Sequence, residues 1–204
     1  GRQIGPRRIL LKFERVMPDH QYFARDSPDI PPSSGTQLFD VGIAGNSCSF
    51  RLMQRFAAFI AVFFGAGLLP KMPGTWGSVA ALPLAWLIQI WGGAPWLAFA
   101  TLAVFLLGVW ASSVHARTLG GDDPGEIVVD EVAGQWLTLL VVPADLVLYA
   151  AGFVLFRFFD IVKPWPVSWA DRRIKGGLGI MFDDILAGIY AAILLLILRL
   201  WLEP

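Results

Sequence analysis

Residues 79–114 read VAALPLAWLIQIWGGAPWLAFATLAVFLLGVWASSV. Apolar residues fill Val79–Trp91, stop at Gly92-Gly93-Ala94-Pro95, and resume from Trp96 to Val114. A Gly-Gly-Ala-Pro break between two such runs predicts two apolar helices joined by a tight turn. Further along, Val132–Phe159 is broken by Pro143-Ala144-Asp145 and reads as a second hairpin. Ile185–Leu202 reads as a last helix of about one membrane thickness. The fold class is therefore all-α: a polytopic helical membrane protein built from helical hairpins.

Composition agrees. Of 204 residues, 56% are hydrophobic and only 16% charged, against about a quarter charged in a soluble domain. Sixteen bases balance sixteen acids, so no basic surplus steers the chain to nucleic acid. A lone Cys48 provides neither a disulfide framework nor a thiolate zinc site. No apolar h-region follows Arg7 and Arg8, so no signal peptide is readable. Residues 1–52 are punctuated by proline and lack a sustained apolar period, which predicts a polar, mostly disordered tail. The membrane-embedded domain is expected at 53–204. The apolar run Phe56–Pro70 is short for a full span, and a re-entrant or interfacial helix is expected there.

If both interrupted segments are hairpins, the polar stretches 71–78, 117–131 and 160–184 share one membrane face. With Arg157 just before the last stretch, that face gathers seven of the nine bases beyond residue 52 and nine of the eleven acids. The positive-inside bias assigns it to the cytoplasm.

Several polar groups stand where an apolar chain tolerates them poorly. Asp123, Glu126 and Asp130 have the spacing of one helix face; acids at a helix start also favour its dipole. Asp130 and Glu131 sit inside an apolar run, where an unpaired carboxylate costs about 2.5 kcal/mol or more. Asp183-Asp184 open the last apolar run, and capping explains one Asp better than two. Paired acids from two helix ends can form an oxygen site for a hard cation such as Mg²⁺, or can pair with Arg157, Lys163 or Arg172. Arg157, Asp160 and Lys163 are spaced to share a face, ended by Pro164. Arg157 and Lys163 can hold a phosphate, or snorkel to lipid headgroups. Thr75 and Ser78, in Pro73–Ser78, can offer hydroxyls and N–H groups to an anion before an apolar helix. His20 and His115 lack partners at ligand spacing and read as structural.

Together PGTWGS at 73–78, IVVDE at 127–131, FRFFDIVKPWP at 156–166 and GGLGIMFDDILAG at 176–188 resemble the phosphatidylglycerophosphatase A family of bacterial inner-membrane lipid phosphatases. The resemblance covers about residues 60–195. It implies Mg²⁺-dependent hydrolysis of phosphatidylglycerol phosphate, a phospholipid substrate in the bilayer, at an active site facing the cytoplasm. It places catalysis on Asp130, Glu131, Asp160, Lys163, Asp183 and Asp184, with Asp130, Glu131, Asp183 and Asp184 as metal ligands. Thr75, Ser78, Arg157, Lys163 and Asp171 fall to substrate binding. The chain lacks the DxDx[TV] and Cys-x₅-Arg signatures of other phosphatases. The competing readings are a small transporter, whose acids would stand near mid-membrane, and a scaffold subunit whose acids only pair with bases.

Overall fold

The computed structural model describes residues 40–119 and 124–202. Its elements are α1 (Asp40–Ala61), a 3₁₀ turn (Ala66–Leu68), α2 (Pro73–Leu119), α3 (Val129–Leu139), α4 (Leu146–Val162), α5 (Val167–Arg173) and α6 (Gly176–Leu202). No strand occurs among the described residues. The expected tail up to residue 39, with Asp122 and Asp123, lies outside them.

The 47 residues of α2 do not form one rod. A straight helix of that length would run about 70 Å, yet Gly77 near one end packs on Val128 and Gly108 near the other on Val129. The chain reverses at Gly93, whose φ of 70° and ψ of −171° no side-chain-bearing residue adopts cheaply. Residues 73–92 and 94–119 thus form the first hairpin, as the Gly-Gly-Ala-Pro break predicts. The second break is equally local. The Asp145 carboxylate accepts the N–H groups of Val147 and Leu148 at 2.9 Å and caps α4.

Two polar contacts place both turns at one end of the bundle. Gln89 Nε2 donates to the Val142 carbonyl at 2.7 Å, and Arg199 donates to the Val141 carbonyl at 2.8 Å. The starts of α2, α3 and α6 and the end of α4 therefore lie at the opposite, polar end. Exposed tryptophans rim both ends: Trp91, Trp96 and Trp201 at the apolar end, Trp76, Trp165 and Trp169 at the polar one. Between them the outward faces carry residues such as Leu87, Phe99, Leu102, Leu106 and Ile197. An apolar coat between two aromatic rims is the surface of a protein solvated by lipid. Two helices, Pro73–Leu119 and Gly176–Leu202, are long and apolar enough to cross a membrane.

Helix boundaries differ from the sequence expectation in four places. Helix α1 starts at Asp40, so the expected boundary after residue 52 falls inside it. It stops at Ala61, within the apolar run, where Phe63, Phe64 and Gly65 take positive φ and the Ala61 carbonyl accepts the Val128 N–H at 2.9 Å. The Phe56–Pro70 run is thus not one spanning helix. Helix α6 starts at Gly176 rather than near Ile185, which puts Asp183 and Asp184 inside the helix and not at its cap. Helix α3 starts only at Val129, after a turn at Pro124–Ile127, so Glu126 and Asp130 share no helix face.

Candidate active site

Helices α3 and α6 both run from the polar end, and a glycine contact sets their register. A Cβ on Gly188 would crowd the Gly134 carbonyl, and one on Gly134 would crowd the Asp184 carbonyl and the Phe156 ring. Small residues at such a crossing let backbones touch. One turn before each glycine stands an acid, Asp130 in DEVAG and Asp184 in DILAG. The crossing brings these turns side by side, and Glu131 joins them from the first turn of α3. One carboxylate oxygen from each of Asp130, Glu131 and Asp184 lies within 4.8 Å of the others.

Asp184 is buried, and Asp130 and Glu131 are half-buried. Three carboxylates that close repel strongly at reduced dielectric, so the group calls for a cation or shared protons. Glu131 Oε2 and Asp184 Oδ2 are buried with no hydrogen-bond partner. An all-oxygen donor set with lone pairs left over fits a hard dication of the Mg²⁺ kind.

A base approaches this group from α4. Arg157 pairs with Asp160 at 2.6 Å across one turn and lies 3.9 Å from Glu131. That spacing was legible in the sequence. The start of α2 closes over the same spot. A Cβ on Gly74 would collide with the Glu131 carboxylate and come within 3.2 Å of Arg157. The PGTWGS segment is therefore not a loop before a helix but its first two turns, with Pro73 at the first helical position. Beside Gly74, the Thr75 hydroxyl is buried without a partner. Ser78 is fully buried and donates to the Gly74 carbonyl at 2.9 Å. Its hydroxyl holds the helix start and is not presented to a ligand.

Lys163 takes a different side from the one its spacing suggests. Residue 163 is the left-handed cap of α4, with φ 46° and ψ 60°. Its side chain leaves the Arg157–Asp160 face and reaches Asp171 at 2.6 Å and Asp183 at 2.7 Å. Burial disfavours charge on Lys163, but the two hydrogen bonds outweigh it and raise its pKa above the ordinary lysine value. Asp183, expected beside Asp184 as a metal ligand, is thus the partner of Lys163. Successive residues of a helix project about 100° apart, so one acid of the pair faces α3 and the other α5. His115 is buried on α2 outside the carboxylate group. Sequence reasoning missed Gly74, Gly134 and Gly188; the repeated D-x-x-x-G spacing at 130–134 and 184–188 was the available signal for the last two.

A family model described as Phosphatidylglycerophosphatase A matches residues 59–199. The chain belongs to that family. A phosphatidylglycerophosphatase A of Escherichia coli K12 is 46% identical over 137 residues, covering 65% of this chain and 77% of the relative. One from Haemophilus influenzae is 41% identical over 145 residues, 70% of this chain and 88% of the relative. A Bacteroides thetaiotaomicron protein, provisionally named phosphatidylinositol-3-phosphatase, is 40% identical over 149 residues, 69% and 91% respectively. No solved structure matches the chain. The family assignment makes the chain a phosphatase, and all four sequence motifs fall within the matched region. The carboxylate group, Arg157 and the Lys163 cluster lie together at the polar end of this phosphatase's bundle.

Proposed function

We propose that this phosphatase hydrolyses the terminal phosphate of phosphatidylglycerol phosphate, yielding phosphatidylglycerol and inorganic phosphate, with Mg²⁺ as cofactor. The observation that carries the reading is the convergence of Asp130, Glu131 and Asp184 beside Arg157 at the headgroup end of the bundle. Relatives named phosphatidylglycerophosphatase A support the substrate. Acids gathered at one end, beside bases able to hold a phosphate, favour headgroup chemistry over ion conduction.

Asp130, Glu131 and Asp184 are the residues that would hold Mg²⁺. Bound there, the ion would neutralise charge on the phosphoryl oxygens and acidify a water. The chain's own groups do the rest. Arg157, steered by Asp160, offers a planar fork to the phosphate. Thr75, whose buried hydroxyl has no partner, lies in the first turn of α2, where the helix dipole favours an anion. A carboxylate of the group, Asp130 or Asp184, accepts the proton of the attacking water. The buried setting strengthens each of these interactions and keeps the positions fixed during the reaction.

The polar end carries Lys71, Arg117, Arg157, Lys163, Arg172, Arg173 and Lys175, and the opposite end Arg199. That bias supports a cytoplasmic active site in a bacterial inner membrane. Phosphate release from phosphatidylglycerol phosphate by purified protein in detergent, with Mg²⁺ and with a chelator, tests the reading. Release that needs Mg²⁺ is the expected result; a folded sample that releases nothing under either condition overturns it.

A further inference from the structure

Beside the carboxylate group, on the other side of α6, a cleft of about 260 Å³ opens between α5 and the first turns of α6. Arg172 and Lys175 stand at its rim, and Asp171 and Asp183 form part of its wall. We infer that this cleft receives the phosphodiester of the substrate, the phosphate that is not cleaved. The inference rests on the proposed hydrolysis of phosphatidylglycerol phosphate and names the part of the enzyme that recognises its second phosphate.

Charge is the first argument. Asp171 and Asp183 alone would repel an anion, but Lys163 lies 2.6 and 2.7 Å from them and neutralises much of the pair. With Lys163 included, Arg172 and Lys175 leave the cleft with a positive surplus. Arg172 donates Nε–H to the Ser168 carbonyl at 2.9 Å. That bond fixes the guanidinium by one edge and leaves its terminal nitrogens for a phosphate. Among the described residues Lys175 has no carboxylate partner.

Position is the second argument. Asp183 walls the cleft while Asp184, the next residue, belongs to the carboxylate group. The two sites therefore sit on neighbouring faces of one helical turn, as two phosphates bridged by one glycerol require. Depth is the third. Trp165 and Trp169, exposed on and just before α5, mark the bilayer interface at which a lipid phosphodiester lies.

Initial rates on phosphatidylglycerol phosphate in mixed micelles, with added phosphatidylglycerol or inorganic phosphate as inhibitor, test this. Phosphatidylglycerol carries only the diester; inorganic phosphate mimics only the reacting group. In Arg172→Gln/Lys175→Gln the inhibition constant for phosphatidylglycerol and the KM for the substrate are expected to rise about tenfold, while the inhibition constant for inorganic phosphate stays within twofold. The last value also shows that the reacting site is intact. Arg172→Lys in place of the glutamine recovers part of the loss. The inference is overturned if phosphatidylglycerol does not inhibit the wild type, if its inhibition is unchanged in the variant, or if both inhibitors weaken together. A wild type that releases no phosphate at all sinks the proposed activity itself, and the diester site with it. An active enzyme with unaltered inhibition sinks only the diester site.

Discussion

Lys163 Nζ lies 2.7 Å from a carboxylate oxygen of Asp183, twenty residues further along the chain, and 2.6 Å from one of Asp171. The lysine thereby ties the end of α4 to α5 and α6, and holds Asp183 on the side of α6 away from the carboxylate group.

Lys163→Ala should therefore act on stability as well as on substrate binding. It removes the Lys163 ion pair from Asp183, which is 6% exposed, at a cost of about 2 kcal/mol after allowance for the part-exposed lysine. Thermal unfolding in detergent should show a lowered Tm, and adding Asp183→Asn should restore part of it. Additive losses in the double variant would mean the pair is not coupled.

The same pair fixes a pH dependence. The pKa of Lys163 is higher in the fold than in the unfolded chain. Its stabilisation is thus complete below about pH 10.4 and is lost as pH rises through the higher folded value. Tm should owe no change to Lys163 between about pH 6 and 9. The wild type should lose more Tm than Lys163→Ala between about pH 10 and 12.

Asp184→Asn should lower phosphate release by about two to three orders of magnitude while the protein still inserts. Circular dichroism and gel filtration check the fold. Full activity in this variant would remove Asp184 from the site.

Gly74→Ala should raise helix propensity in α2 by about 1 kcal/mol and still impair the enzyme, because the new Cβ collides with the Glu131 carboxylate. We expect at least about a tenfold loss in kcat/KM. Gly125→Ala, where a Cβ meets nothing within 4 Å, is the control. Equal activity in the two variants would show that Glu131 need not stand where it does.

Truncation separates the segment before residue 40 from α1. Removing residues 1–39 should leave activity intact. Removal through Ala61 takes away the carbonyl that accepts the Val128 N–H and the buried Ala57 and Ala61, and should lower Tm. A Tm unchanged by the longer deletion would show that α1 does not support α3.

The sequence alone determined the class of the fold and marked the acids of the candidate site. Apolar runs broken at Gly92–Pro95 and Pro143–Asp145 fix where the chain turns, because glycine, proline and a capping Asp act within a few residues. Acids inside apolar runs, at Asp130, Glu131 and Asp184, are legible because burying a carboxylate is costly wherever the helix ends up. Helix starts were less legible. Gly176–Gly179 reads as a turn by propensity, yet Gly177 packs against Val109 and Ser113, Gly179 packs against Ile174, and α6 starts at residue 176. Only the tertiary structure decided which acid meets which base. Asp183 and Asp184 are chemically identical neighbours. The Gly134–Gly188 crossing turns Asp184 toward α3, the placement of α5 turns Asp183 toward Lys163, and both depend on contacts between different helices, beyond the reach of local propensity.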